Sequence, residues 1–404
     1  MMKKLALATS AFAMLAATPG LAQDVSVKLG VLNDRSGVYA DLSGEGSVIA
    51  AQMAVEDFGA EEKGITVEIV SADHQNKPDV ASNIARQWYS EEDVDAIFDV
   101  PTSSAALAVH EITREMDKIF MNSGAATSDL TGSACSPNTV HWTYDTWALA
   151  NGTGGAMVEQ GGDSWFFITA DYAFGHALER DTTAFVEKSG GTVVGSVRHP
   201  FPGSDFSSFL LQAQASGAKV VGLANAGGDT INAVKQASEF GITQAGQSLA
   251  GLLVFLTDVH SLGLQTAQGL VLTESFYWDL NDQTREWSAR FEEQAGDKPT
   301  MVQAGVYGSV LHYLKAVEAT GTDETAAVME WMKANPTDDP LFGQGEIRED
   351  GRKIHDMYLF RVKAPDQSEG PWDYYELLET IPADQAFRPL ADGGCSLVEE
   401  AAAQ

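Results

Sequence analysis

Basic residues are scarce in this sequence, with 25 Lys and Arg against 57 Asp and Glu. That balance argues against nucleic acid and anionic membrane surfaces as partners, because both are gripped by clustered Lys and Arg. Cysteine is scarcer still: Cys135 and Cys395 are the only two. A thiolate metal site needs more ligands close together, so no metal is expected. Past the first 22 residues, no apolar run is long enough to span a bilayer. Catalytic signatures are also missing. There is no Ser flanked by Gly two residues away on both sides, no His-Glu-x-x-His helix and no phosphate-cradling GxxxxGK[ST] loop. The eight histidines are scattered, with no pair at metal-ligand spacing on one expected face. Neither an enzyme nor a cofactor is expected.

Met1 to Ala22 reads as an export leader. Lys3 and Lys4 supply the positive start, Leu5 to Ala17 the apolar run, and Gly20-Leu21-Ala22 the small residues before cleavage near Ala22. Losing Lys3 and Lys4 moves the formal charge from −32 to −34. About 380 residues remain, more than one core usually serves, so two domains are expected. In an oxidising compartment the two cysteines are expected as a disulfide tying the first third of the chain to its end, with two buried thiols as the alternative.

Strands alternate with helices along the mature chain. Val25 to Leu32, Ile65 to Val70, Ala96 to Phe98 and Lys118 to Met121 read as strands, separated by helices over Gly44 to Phe58, Val80 to Glu91 and Ala105 to Met116. The pattern stops at Cys135 to Trp147 and restarts with strands at Trp165 to Ile168, Thr192 to Arg198, Val220 to Leu223, Leu252 to Phe255 and Gly269 to Thr273. Helices at Ala173 to Lys188, Phe206 to Ala215 and Thr230 to Phe240 alternate with these. Later helices fall at Thr284 to Ala295, Gln303 to Ala319 and Ala326 to Ala334, and Lys353 to Val362 reads as a last strand. Such alternation means βαβ units and parallel sheets. Two doubly wound lobes with more than one connection imply a hinged pair closing on a cleft.

Asp99 to Thr131 holds two strand ends that run into small hydroxylated residues, Pro101-Thr102-Ser103-Ser104 and Asn122-Ser123-Gly124-Ala125-Ala126-Thr127. Loops at the carboxyl ends of neighbouring parallel strands face one crevice, where open α/β sheets hold ligands. The same residues also serve as ordinary helix caps. In the second half, Tyr172 and Phe174 stand at a strand-to-helix turn, and Asn225-Ala226-Gly227 at another. Aromatics there either cover a ligand or pack the helix start.

Six segments in order resemble the type I periplasmic binding proteins of the leucine/isoleucine/valine-binding kind, which feed ABC importers. They are VKLGVLNDRSGVYADLSGEGSVIAAQMAVEDF, PTSSAALAV, SGAATSDLT, ADYAFGHAL, SDFSSFLLQAQASGAKVVGLANAGGDTINAVKQASEFGI and GEIREDGRKIHDMYLFRVK. The resemblance implies an α/β fold of two doubly wound parallel-sheet lobes joined by three hinge crossings, near Thr143 to Thr146, Glu274 to Trp278 and Asp338 to Phe342. Lobe 1 would comprise 23–145 plus 279–338 and lobe 2 would comprise 146–274 plus 342–383. The tail 384–404 would be tethered by Cys135 and Cys395. The protein would be monomeric and periplasmic, with permease and ATPase subunits as partners.

By the same resemblance, Ser103 holds a ligand carboxylate, with Thr102 and Ser104 beside it. Ala125 and Thr127 are the partners in the next loop, which is one residue short, so Ala126 could occupy either place. Tyr39, Leu42, Tyr172, Phe174, Asn225, Ala226 and Gln303 complete the expected site. Three departures bear on the ligand: Phe174 stands where amino-acid binders carry Tyr, Ala226 replaces another Tyr, and Gly251 to Phe255 runs through the place of the carboxylate that holds the ligand's ammonium group. A buried ammonium without a counter-charge is costly. The expected ligand is therefore a small organic carboxylate without an α-amino group, such as an aromatic acid. Branched-chain amino acids, and a ligand sensor built on the same fold, are the alternatives.

Overall fold

The computed structural model describes residues 25–398. The export leader expected over Met1 to Ala22 and the last residues of the tail lie outside them.

Lobe 1 begins with a five-stranded parallel sheet in the order β2-β1-β3-β4-β5, formed by β1 (Val25–Asn33), β2 (Ile65–Asp73), β3 (Ala96–Asp99), β4 (Ile119–Asn122) and β5 (Thr139–His141). The short central strands β3 and β4 are buried at every position, as strands covered on both faces must be. Helices α1 (Gly44–Phe58), α2 (Pro78–Glu91) and α3 (Ser103–Glu115) make the crossovers. Pro78 opens α2, where its missing N–H costs nothing.

A short bent segment, α4 (Thr146–Leu149) and α5 (Gly155–Glu159), leads into lobe 2. Its four-stranded parallel sheet has the order β7-β6-β8-β9, from β6 (Ser164–Ala170), β7 (Thr192–His199), β8 (Val220–Ala224) and β9 (Ser248–Gly251). Helices α6 (Ala173–Lys188), α7 (Ser207–Ser216), α8 (Gly228–Glu239), α9 (Leu256–Leu262) and α10 (Leu264–Ala267) flank it. After β10 (Val271–Glu274) the chain returns to lobe 1 for α11 (Asp282–Ala295), α12 (Met301–Thr320) and α13 (Thr325–Ala334). Sixteen of the twenty residues of α12 are buried, so it is a core helix packed on α1.

Four expectations need correction. First, Leu252 to Phe255 is not a strand. The ladder of β9 ends at Gly251, and this apolar run is a buried loop entering α9. Second, the strand expected over Lys353 to Val362 breaks in two. Third, the crossing expected at Asp338 to Phe342 is instead the start of an antiparallel ribbon, β11 (Thr337–Asp339), β12 (Gly343–Ile347) and β13 (Lys353–Ile354). That ribbon packs on α12 and α13, and Arg352 forms a β-bridge with His141, the last residue of β5, so residues 343–354 stay with lobe 1. The third link therefore runs from Ile354 to Met357, where β14 (Met357–Val362) joins β10. Fourth, β15 (Tyr375–Ile381) extends that antiparallel sheet and lay unrecognised in a charge-broken sequence.

The fully buried Arg352 fastens two of the three links together. Its guanidinium donates to the carbonyls of Trp142 (3.1 Å), Tyr144 (3.1 Å) and Lys353 (3.0 Å), with Asp145 3.8 Å away and the Phe387 ring 4.2 Å beneath. Beyond β15, α14 (Ala383–Ala386) leads the tail back to lobe 1. There Arg388 donates to the carbonyl of Ser128, and Cys395 is bonded to Cys135.

Candidate functional site

A cavity of about 10 Å³, room for little more than one water, lies between the closed lobes. Lobe 1 and the first link supply Tyr39, Leu42, Pro101, Gly124, Ala126 and Tyr144. Lobe 2 supplies Tyr172, Phe174, Ala226, Leu253 and Phe255. Apart from Phe174, in the first turn of α6, all stand in loops after the carboxyl ends of β1, β3, β4, β5, β6, β8 and β9, where doubly wound sheets bind their ligands. None of the lining residues is Asp, Glu, Lys, Arg or His.

The polar groups of the wall are three phenols. Tyr39 and Tyr172 meet across the cleft with their hydroxyl oxygens 2.5 Å apart, and Tyr144 donates to the carbonyl of Gly124 at 2.6 Å. Burial pushes all three phenols above their ordinary range, so they stay protonated donors. Asp34 braces the Tyr39 loop by accepting from the backbone N–H groups of Gly37 (2.8 Å) and Tyr39 (2.9 Å). The N-caps of α3 and α6, Thr102 and Tyr172, give no side-chain hydrogen bond to their helices' first N–H groups. Both helices begin beside the cavity wall, so two positive dipole ends lie near it.

Of the residues expected from the sequence, the structure brings Tyr39, Leu42, Tyr172, Phe174 and Ala226 to the cavity, together with the alternative Ala126. The others stand one layer behind. The buried Ser103 hydroxyl accepts from the Thr127 N–H at 3.2 Å, tying the two lobe 1 loops together. Thr102 donates to Asn76, and Ser104 sits half-buried in the first turn of α3. Ala125 is turned into the lobe, its carbonyl accepting from His141 at 2.8 Å, so Ala126 rather than Ala125 faces the ligand space. Thr127 caps the short helix Ser128–Thr131. Asn225 accepts from Thr230 at 2.7 Å and meets His199 at 3.2 Å. Gln303 caps α12 and donates to the Ser43 carbonyl at 3.2 Å, which fixes the loop carrying Leu42. Sequence reasoning missed Pro101, Gly124, Tyr144, Leu253 and Phe255 as wall residues. Leu253 and Phe255 did lie in the Gly251 to Phe255 run that the resemblance had singled out as a departure, and that was their signal.

Carboxyl groups surround the cavity at one remove. Burial pushes Asp99 up to about 6 although Asn33 and Ser43 donate to it, and it pushes Asp258, which holds the Phe255 N–H, and Asp229 up to about 7. Glu274, bonded by the Tyr375 hydroxyl at 3.1 Å, is pushed well above its ordinary range by burial. Each holds a proton in the fold that it loses near pH 4 when unfolded, so its contribution to stability is lost as pH rises through the folded value. The buried His74 and His312, pulled down to about 4, act in the opposite sense, because each is neutral in the fold while its unfolded counterpart still binds protons around pH 6.5, and burial lowers His110, His141, His199 and His355 in the same direction. Lys353, pulled down to about 8, opposes the carboxyls at higher pH.

Comparison with known proteins agrees with this architecture. The family model described as "Periplasmic binding protein" matches residues 26–370. A periplasmic binding protein from Burkholderia mallei is 50% identical, with a TM-score of 0.90 over 92% of this chain and 99% of that one. A branched chain amino acid ABC transporter periplasmic ligand-binding protein from Burkholderia xenovorans LB400 is 41% identical, with a TM-score of 0.82 and the same coverage. A Rhodopseudomonas palustris solute-binding protein in complex with benzoate shares the fold at 21% identity, with a TM-score of 0.79 over 92% of this chain and 99% of that one. The chain belongs to the type I periplasmic binding proteins, the solute-binding components of ABC transporters.

Proposed function

We propose that this protein captures a small carboxylic acid with an apolar body, such as a benzoate, and delivers it to an ABC permease with its ATPase subunits. One observation carries the reading: the cavity is walled by rings and aliphatic groups, with phenol hydroxyls but no carboxylate against which a ligand's ammonium could rest. An ammonium buried there would lack a counter-charge, whereas an anion needs only donors. Because one phenol of the Tyr39 and Tyr172 pair donates to the other, a hydroxyl hydrogen is left to point elsewhere. The carboxylate end is assigned to the side of Pro101, Gly124 and Ala126, beside the start of α3, and the ring to the side of Phe174, Leu253 and Phe255. Ser103 and Thr127 act by holding the lobe 1 loops in register. The benzoate-bound neighbour supports the reading at the level of the fold alone.

Thermal-shift measurements and titration calorimetry on the mature protein test it, with benzoate, 4-hydroxybenzoate, leucine and valine compared side by side. Benzoates at a hundred times their Kd are expected to stabilise the protein by about 2.7 kcal/mol. Stabilisation by leucine or valine, with none by the aromatic acids, would replace this reading with the branched-chain amino acids named for the 41% relative.

A further inference from the structure

The lobes touch directly beside the cavity, and the touching residues come from one loop of lobe 1 and three loops of lobe 2. The Val38 carbonyl accepts from the Gly228 N–H at 3.2 Å. Gly227 has φ +55°, and a Cβ there would stand 2.5 Å from the Val38 oxygen and 3.0 Å from the Tyr39 ring, so only glycine allows this approach. Tyr39 then reaches Tyr172 through the hydroxyl contact already described.

A third ring backs that pair. Phe201, in the loop after β7, is not part of the cavity wall. Its ring is stacked on Tyr172 at 4.2 Å and 21°, and it lies 5.5 Å from Tyr39. Phe201 is half-buried, as is Tyr172, whereas Tyr39 is buried. Three aromatic rings from both lobes thus form a two-layered cover, in which Phe201 is the layer away from the cavity.

We propose that Phe201 is a positioning residue for solute retention: it holds Tyr172, and through it Tyr39, shut across the cavity, and so sets the rate at which solute leaves. The proposal rests on the reading of this cavity as the solute site. For solute to leave, Tyr172 and Tyr39 must part, and Tyr172 cannot swing aside without breaking the stack. The stack itself lies within lobe 2, but the contacts that Tyr172 and Phe201 make with Tyr39 join the two lobes, so those contacts exist only once the lobes have closed. Phe201 therefore acts on release and leaves capture by the open cleft unchanged.

Stopped-flow displacement of benzoate from the wild type, Phe201→Ala, Phe201→Leu and Phe201→Tyr tests this, with the melting temperature of each solute-free variant as the folding control. Phe201→Ala is expected to raise koff tenfold or more with kon within threefold of wild type. Phe201→Leu keeps apolar volume without a ring and should fall between, and Phe201→Tyr should restore the wild-type rate. An unchanged koff, or a fall in kon that matches the rise in koff, overturns the proposal. If benzoate does not bind the wild type, the aromatic-acid reading fails by itself, and small-angle scattering of the solute-free proteins decides instead. A larger radius of gyration for Phe201→Ala then supports the cover, and identical radii reject it.

Discussion

Replacing Arg352 with Met is expected to destabilise the protein by about 3–5 kcal/mol, the cost of breaking a buried charge network by removing one partner. The guanidinium is fully buried, and burial pulls it down to about 10, so it remains charged at neutral pH. Without it, the carbonyls of Trp142, Tyr144 and Lys353 lose their donor and Asp145 loses its nearest cation. A methionine side chain fills similar volume but donates nothing, and each buried acceptor left unpaired costs about 1–3 kcal/mol. Arg352→Lys keeps the charge but not the planar fork, so it should recover only part of the loss. Urea denaturation of the solute-free variants measures the effect, and a change below about 1 kcal/mol for Arg352→Met would show that the links do not depend on this residue. Because Tyr144 also walls the cavity, Arg352→Lys is expected to weaken binding even where it folds.

The second large effect is on affinity. Ala226 is buried between β8 and α8 and faces the small cavity between the closed lobes. Ala226→Leu places three more carbons in that space and should lower affinity for a benzoate at least a hundredfold, about 2.7 kcal/mol at 1.4 kcal/mol per tenfold. The closed cavity is too small for those carbons, so overpacking should also cost the solute-free protein about 1–3 kcal/mol, read as a lower melting temperature. Calorimetric titration separates the two quantities. Wild-type affinity in the Leu variant would place the bound solute elsewhere.

Much of the fold was legible because its signals are local. Gly44–Phe58 and Ala173–Lys188 carry helical periodicity with clear ends, and both helices have the bounds expected from the sequence. The links were harder to read. Asp339-Pro340-Leu341-Phe342-Gly343 has the composition of a crossing, yet a hairpin turn uses the same residues, and only the distant packing on α12 and α13 assigns it to lobe 1. The strand β15 escaped notice because Glu376 and Glu379 interrupt its apolar positions on an exposed edge. The site divides in the same way. Tyr39, Tyr172 and Phe174 stand at strand ends, which a sequence reveals. Ser103 carries a signal that is identical for a ligand contact and for a strut between loops, and here its hydroxyl serves the Thr127 N–H. Tyr144 joins the wall through Arg352, which is 208 residues away along the chain, and no local pattern encodes that distance.

The bond between Cys135 and Cys395 also imposes an order of assembly. Its two sulfurs belong to residues 260 positions apart, so the bond can form only after everything between them has been synthesised. Lobe 1 must wait with one unpaired thiol through the synthesis of lobe 2. With no third cysteine in the sequence, a single molecule has no wrong partner to offer that thiol, and oxidation needs no reshuffling. The bonded product is a chain in which all of lobe 2 lies inside one covalent ring.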